Sequence, residues 1–156
     1  MIEPAVGKDG SQIHAINVSI ELFSQEEVEC VDELWQEYQD QGAERSGYYF
    51  LVDRENEQVL AYTCYGPRAL TDRTYDLYWI AVDPRSRHTG IGRRLLAATE
   101  VAVRKLGGRL LVVETSGLPE YAPTRSFYIA TGYQLEATLK DFYKEGDDLV
   151  IFTKHL

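Results

Sequence analysis

Apolar positions along this chain fall into short periodic segments, and their period changes from place to place. Between residues 13 and 22 they alternate loosely, with Ile16, Val18, Ile20 and Leu22 on every second place, which predicts a first strand. Ser24-Gln25-Glu26-Glu27 then has the Ser-x-x-Glu form of a capping box. Val28, Val31, Leu34, Trp35 and Tyr38 follow at three-to-four spacing, predicting a helix over 25–41 with its aromatic residues in the core and Gly42 as its stop. Residues 48–53 and 58–65 read as two strands around the polar turn Arg54-Glu55-Asn56-Glu57, and 75–82 as a fourth strand. Leu95, Leu96, Ala98, Ala102 and Leu106 mark a long helix ended by Gly107-Gly108. The nearly unbroken apolar run 110–115 predicts a central strand buried on both faces. Pro123 opens a short helix over 124–131 with Gly132 behind it, and 133–143 and 149–155 close the chain as a pair of strands. The order is β-α-β-β-β-α-β-α-β-β in one domain, 1–156, with Pro4, Gly7 and Gly10 giving residues 1–12 the character of a frayed terminus.

Between the fourth strand and the long helix stands Arg87-His88-Thr89-Gly90-Ile91-Gly92-Arg93-Arg94. Paired glycines at a helix mouth let a phosphate approach the main chain, and first-turn amides have no partner inside the helix. The positive end of the helix dipole lies behind them, so the stretch predicts a pyrophosphate cradle. It is neither a dinucleotide fingerprint, since Leu95 stands where a third glycine belongs, nor a Walker loop, since Gly-Lys-Ser/Thr is missing. Arg85, Arg87, His88, Arg93 and Arg94 crowd here on a chain of net charge −9. A basic island on an acidic protein points to a small phosphorylated ligand and away from nucleic acid. The same acidity mildly favours a cationic small molecule or basic peptide as partner.

Length and composition, 156 residues with 44% apolar and 26% charged, are those of a globular domain with a sizeable core. No apolar run approaches a bilayer's thickness and no signal-peptide segment opens the chain, so a cytoplasmic protein without membrane contact is expected. Cys30 and Cys64 are isolated and read as buried thiols. His14, His88 and His155 are too scattered for a metal site, so no metal is expected.

Two blocks carry a family resemblance. One runs from Trp79-Ile80-Ala81-Val82 through Arg87-His88-Thr89-Gly90-Ile91-Gly92 to Leu96, and includes a Gln/Arg-x-x-Gly-x-Gly/Ala signature. The other, Thr124-Arg125-Ser126-Phe127-Tyr128-Ile129-Ala130-Thr131-Gly132-Tyr133, matches a Phe-Tyr-x-x-x-Gly-Phe/Tyr block. Together with the order of elements they resemble the GNAT superfamily of acyl-CoA-dependent N-acyltransferases; the first forty residues match only generically. The resemblance implies an α/β fold with a strongly twisted, mostly antiparallel mixed sheet of about seven strands. That sheet would splay between strands 4 and 5 and carry about three flanking helices. It implies acetyl-CoA as acyl donor, with main chain at Ile80, Ala81 and Val82 beside the pantetheine arm. Arg87, His88, Thr89, Gly90, Ile91, Gly92 and Arg93 would hold the pyrophosphate. Tyr128 matches a tyrosine that protonates the departing thiolate. Where many relatives carry an asparagine, this chain has Tyr121, leaving a cofactor contact missing or made by Thr124 or Arg125. Homodimers through the closing strands also occur among such proteins.

Acyl transfer to an amine needs a neutral nucleophile, a stabilised oxyanion and a proton for the leaving group. A phenol near pKa 10 keeps its proton at pH 7, which suits Tyr128 as donor. A strand amide near Ile80 is the family-implied oxyanion contact. Asp76 is the candidate base, on the expectation that it shares a strand face with Tyr78, Ile80 and Val82. An aspartate near 3.9 lies roughly 6.5 units below an amine near 10.4, a gap of about 9 kcal/mol. A water relay, or attraction of the cation, is therefore easier than direct abstraction. Asp141, Glu145, Asp147 and Asp148 around the last turn either select a cationic acceptor or form a solvated turn. The expected activity is acetyl transfer to a primary amine of a small molecule or peptide. The alternative is a non-catalytic acyl-CoA sensor of the same fold.

Overall fold

The stretch before the capping box is a helix, not the predicted strand. The computed structural model describes residues 1–156, and in it Gly10–Ser19 forms α1. Ile13, Ile16 and Ile20 are buried while Val18 and Leu22 face solvent, so the effective period is three to four and the twofold alternation is incidental. The expected frayed terminus contains a strand: β1 (Ile2–Pro4) pairs antiparallel with β2 (Tyr49–Glu55).

What fixes this segment is charge. Arg54, in β2, donates from Nη1 and Nη2 to the two carboxylate oxygens of Asp9 at 2.7 and 2.8 Å, and from Nε to Glu3 at 2.7 Å. Asp9 is fully buried. Burial alone pushes its carboxyl up, but the Arg54 hydrogen bonds, the Val6 amide and the charges of Arg54 and Lys8 outweigh this and hold it below its ordinary 3.8. Replacing Asp9 by alanine strands a buried guanidinium and is expected to cost about 3 kcal/mol, read as a lower urea midpoint. A carboxyl depressed in the folded state stabilises above its unfolded pKa. The wild-type excess over Asp9→Ala should therefore be complete at neutral pH and shrink as pH falls below about 4.

Beyond α1 the reading from periodicity holds closely. Ser24 caps α2 (Gln25–Gln41), its hydroxyl accepting from Glu27 N–H while Glu27 returns a bond to Ser24 N–H. Trp35 packs edge-on against Phe50. A one-turn α3 (Ala43–Ser46) precedes β2. Then come β3 (Gln58–Pro67), β4 (Thr74–Val82), α4 (Ile91–Lys105), β5 (Leu110–Ser116), α5 (Ala122–Ala130), β6 (Gln134–Lys144) and β7 (Asp147–His155). α1 and α3 raise the helix count above the three expected. Cys64 is buried as expected, but Cys30 lies on the solvent side of α2.

The seven strands form one sheet in the order β1-β2-β3-β4-β5-β7-β6, antiparallel throughout except for β4 beside β5. Two apolar layers cover its faces. One joins Leu95, Leu96 and Val103 of α4 and Tyr128 of α5 to Leu77, Leu111, Val113 and Phe152. The other joins Ile13 and Ile16 of α1 and Val31 of α2 to Phe50, Val52, Tyr62 and Ala81. This second layer ends at β4, which leaves that face of β5 open. Leu111 and Val113 are buried but Glu114 is exposed, so β5 is covered on one face and not on two.

Candidate active site

β4 and β5 are paired only from Thr74–Leu110 to Leu77–Val113. Beyond that point β4 stays with β3 as far as Val82, and β5 stays with β7 as far as Ser116. The sheet therefore opens into a wedge between the two parallel strands. Asp83 N–H donates to Leu60 of β3 at 2.8 Å. Antiparallel pairing alternates, so Ala81 also turns its main chain to β3, while Ile80 and Val82 direct theirs into the wedge.

A bulge interrupts β4: Cys64 faces Trp79 and Tyr65 faces Leu77, leaving Tyr78 as the extra residue. Tyr75, Leu77, Ile80 and Val82 contact the α4/α5 layer, whereas Trp79 and Ala81 contact the α1/α2 layer. Asp76 thus lies on the face opposite Ile80 and Val82, which corrects the expected shared face. The bulge shifts the parity of everything before it, and no periodicity reveals one extra residue.

At the mouth of the wedge Asp83 caps a turn over 84–86 and Gly90, at φ +79°, starts α4. His88 is also left-handed, at φ +63°. The main-chain N–H groups of Arg87, His88, Thr89, Gly90, Ile91, Gly92 and Arg93 donate to nothing in the protein. Seven consecutive free donors at the positive end of a long helix make an anion cradle. A Cβ placed on Gly90 would meet nothing within 4 Å, so the cradle is open above it. Gly92 faces Val82 and Phe127, at 3.5 and 3.8 Å from where its Cβ would stand, and links cradle to wedge. The basic cluster divides. Arg85 is paired with Asp83 and Arg94 with Asp53, leaving Arg87, His88 and Arg93 exposed and free of ion pairs.

Tyr128 comes from α5 on the same face. Its ring packs against Tyr133 and Phe152, each at 5.7 Å, and it is 4% exposed. Its hydroxyl has no hydrogen bond within the protein, and burial pushes its pKa well above that of a free phenol. Arg125 donates to the carbonyls of Ser116 and Leu118, and Tyr121 donates to Leu22 O at 3.2 Å, tying the β5–α5 loop to the α1–α2 loop.

The open face of the wedge carries carboxylates and phenols. Glu114 and Ser116 lie two residues apart on β5, hence on one side and about 7 Å apart. Ser116 Oγ donates to Asp147 Oδ1 at 2.5 Å. Tyr143 is pushed up to about 12 by burial and by the charges of Glu114, Asp147 and Glu27, and Tyr78 to about 12 by burial and then by Asp76. Asp141 and Asp148 instead bind amides of their own hairpin. Asp76, 6% exposed, is not a free base: Arg68 grips both its oxygens. Sequence reasoning missed Glu114 and Arg68. The available signal was that Glu114 is the single charge in an apolar central strand; nothing in sequence links Arg68 to it.

The sheet is thus wedged open between parallel strands, with a run of free amides on one side and carboxylates on the other, an architecture suited to a transferase. The chain belongs to the acetyltransferase (GNAT) family, whose model matches residues 16–133. It is an acyltransferase. A crystal structure of a GNAT-family protein from Desulfovibrio desulfuricans is 42% identical, covers 99% of this chain and 98% of its own, and superposes at a TM-score of 0.96. Two more distant structures share the fold. Ribosomal-protein-alanine N-acetyltransferase from Brucella melitensis is 24% identical over 100% of this chain and 99% of its own, with a TM-score of 0.79. The yncA protein from Salmonella typhimurium, solved with its cofactor acetyl-CoA, is 20% identical over 100% and 93%, with a TM-score of 0.76. No curated protein matches the sequence.

Proposed function

We propose that the protein transfers an acetyl group from acetyl-CoA to a primary amine of a small molecule or peptide, both substrates meeting in the wedge. The observation that carries this is the run of seven free amides, residues 87–93, at the mouth of an opening lined by the free main-chain edges of Ile80 and Val82. A pyrophosphate suits those donors and a pantetheine amide suits those edges. When bound, acetyl-CoA supplies a thioester whose carbonyl carbon accepts the amine's lone pair as the C–S bond breaks. The amide of Ile80 is the strand donor nearest the role of oxyanion contact. The Tyr128 hydroxyl, kept protonated by burial, gives its proton to the leaving sulfur.

On the opposite face Glu114 takes the proton of the incoming ammonium through water. Asp76 serves less well, because its oxygens already accept three hydrogen bonds from Arg68. Glu27, Asp147 and Glu114 around Tyr143 give the acceptor side a negative field suited to a cation. Calorimetry with acetyl-CoA, and thiol release with putrescine, tyramine, kanamycin, lysine and a short alanine-initiated peptide, test the reading. Saturable binding and CoA release with at least one amine are expected. Binding without release would leave an acyl-CoA sensor. ADP binding as tightly as acetyl-CoA would make this a nucleotide site.

A further inference from the structure

Arg68 follows β3 and lies where β4 and β5 part. Its backbone N–H donates to Thr74 O at 2.8 Å, fixing the loop. Nε donates to Oδ2 and Oδ1 of Asp76 at 2.9 and 3.0 Å, and Nη2 to Oδ1 at 2.8 Å. Nη2 also reaches Glu114 Oε1, at 3.2 Å. Asp76 stands opposite Val112, within the paired part of the two strands, whereas Glu114 is the first β5 residue past the last pair, Leu77–Val113. The guanidinium thus spans the fork of the wedge.

Its two contacts differ in kind. The grip on Asp76 is two-pronged, and its carboxylate side chain is only 9% exposed although Arg68 itself is 46% exposed. The contact with Glu114 is single and longer, and Glu114 is 41% exposed. A planar guanidinium held by its Nε edge has little freedom left, so its remaining donors point in fixed directions. An unsupported glutamate, by contrast, samples many rotamers.

We propose that Arg68, anchored by Asp76, is a positioning residue that aims the Glu114 carboxylate into the opening between β4 and β5. The inference rests on the acetyl-transfer reading and assigns Asp76 a part in it at one remove, as the foot of the clamp. The weak bond to Glu114 leaves that carboxylate able to exchange Arg68 for a water or the acceptor's ammonium without the clamp moving. Arg68 touches no reacting atom.

The test is a double-variant cycle on the full chain, with the fastest amine of the panel above as acceptor. General-base catalysis contributes at least about a hundredfold, so Glu114→Gln should lower kcat by about that factor. Misaiming the same group should make Arg68→Gln lose about tenfold, with Asp76→Asn following it. The double variant Arg68→Gln/Glu114→Gln should match Glu114→Gln alone within about twofold, because residues acting through one another are not additive. Acetyl-CoA affinity by calorimetry should stay level in every variant. A double variant losing the product of the single effects overturns the clamp, as does Arg68→Gln with wild-type kcat. A drop in melting temperature with unchanged kcat per folded protein also overturns it, since that is a purely structural role. If the wild-type protein binds acetyl-CoA yet releases no CoA with any amine, the transfer reading falls and the clamp with it.

Discussion

Gly90→Glu is expected to abolish acetyl-CoA binding while leaving the fold in place. At φ +79° the position disfavours any side chain, with a strain of about 1 to 3 kcal/mol. There is nonetheless room, since nothing lies within 4 Å of a Cβ built there. The effect comes from charge. A carboxylate carried on the cradle can take the free amides of residues 87–93 for itself and repels a pyrophosphate at contact distance. Calorimetry should show no saturation with acetyl-CoA at concentrations that saturate the wild type. Gly90→Ala separates strain from charge: it carries the same backbone penalty without the carboxylate and should bind only modestly more weakly. Tight binding by the glutamate variant would mean that the diphosphate sits elsewhere.

Tyr128→Phe should lower kcat by about a hundredfold to a thousandfold with acetyl-CoA affinity unchanged. The ring is held by Tyr133 and Phe152 and the hydroxyl bonds to nothing in the protein, so phenylalanine keeps the packing and removes one proton donor. Stability should therefore barely change, which rules out unfolding as the cause of lost activity. Burial raises the phenol's pKa, so its protonated form persists to higher pH than that of an exposed tyrosine. Rate should not fall on the alkaline side through loss of this proton near pH 10. An unchanged kcat in the variant would remove Tyr128 from proton transfer.

Much of this molecule is legible in one dimension because its signals are local. The Ser24–Glu27 capping box, the apolar stripe of α2 and the glycines around α4 act within a turn or two of chain, and each element formed where its pattern lies. Residues 13–22 carry a strand-like pattern because Ile16 and Ile20 fit both a period of two and a period of four. Burial of Ile13 with them, against β2 and β3, decides in favour of the helix. β1 was invisible because three residues have no period at all. Its strand exists through pairing with β2 and through the Arg54 contacts to Glu3 and Asp9, all distant in sequence.

The site divides along the same line. The cradle is one contiguous segment, so Arg87 to Arg93 and the start of α4 specify it unaided. Tyr128 is likewise marked by its own block. The carboxylate side is assembled from β3, β4, β5 and the last hairpin, and there a single bulged residue, Tyr78, reverses which face Asp76 occupies. Sequence alone therefore determined the glycine-bearing loop of free amides, the order of most elements and the residue types available for chemistry, because those depend on neighbours along the chain. Only the tertiary structure decided which carboxylate stands exposed at the opening on a single bond from Arg68, Glu114, and which is gripped by it on both oxygens, Asp76. That choice depends on strand register and on where two parallel strands stop pairing, and both are set by contacts between distant segments.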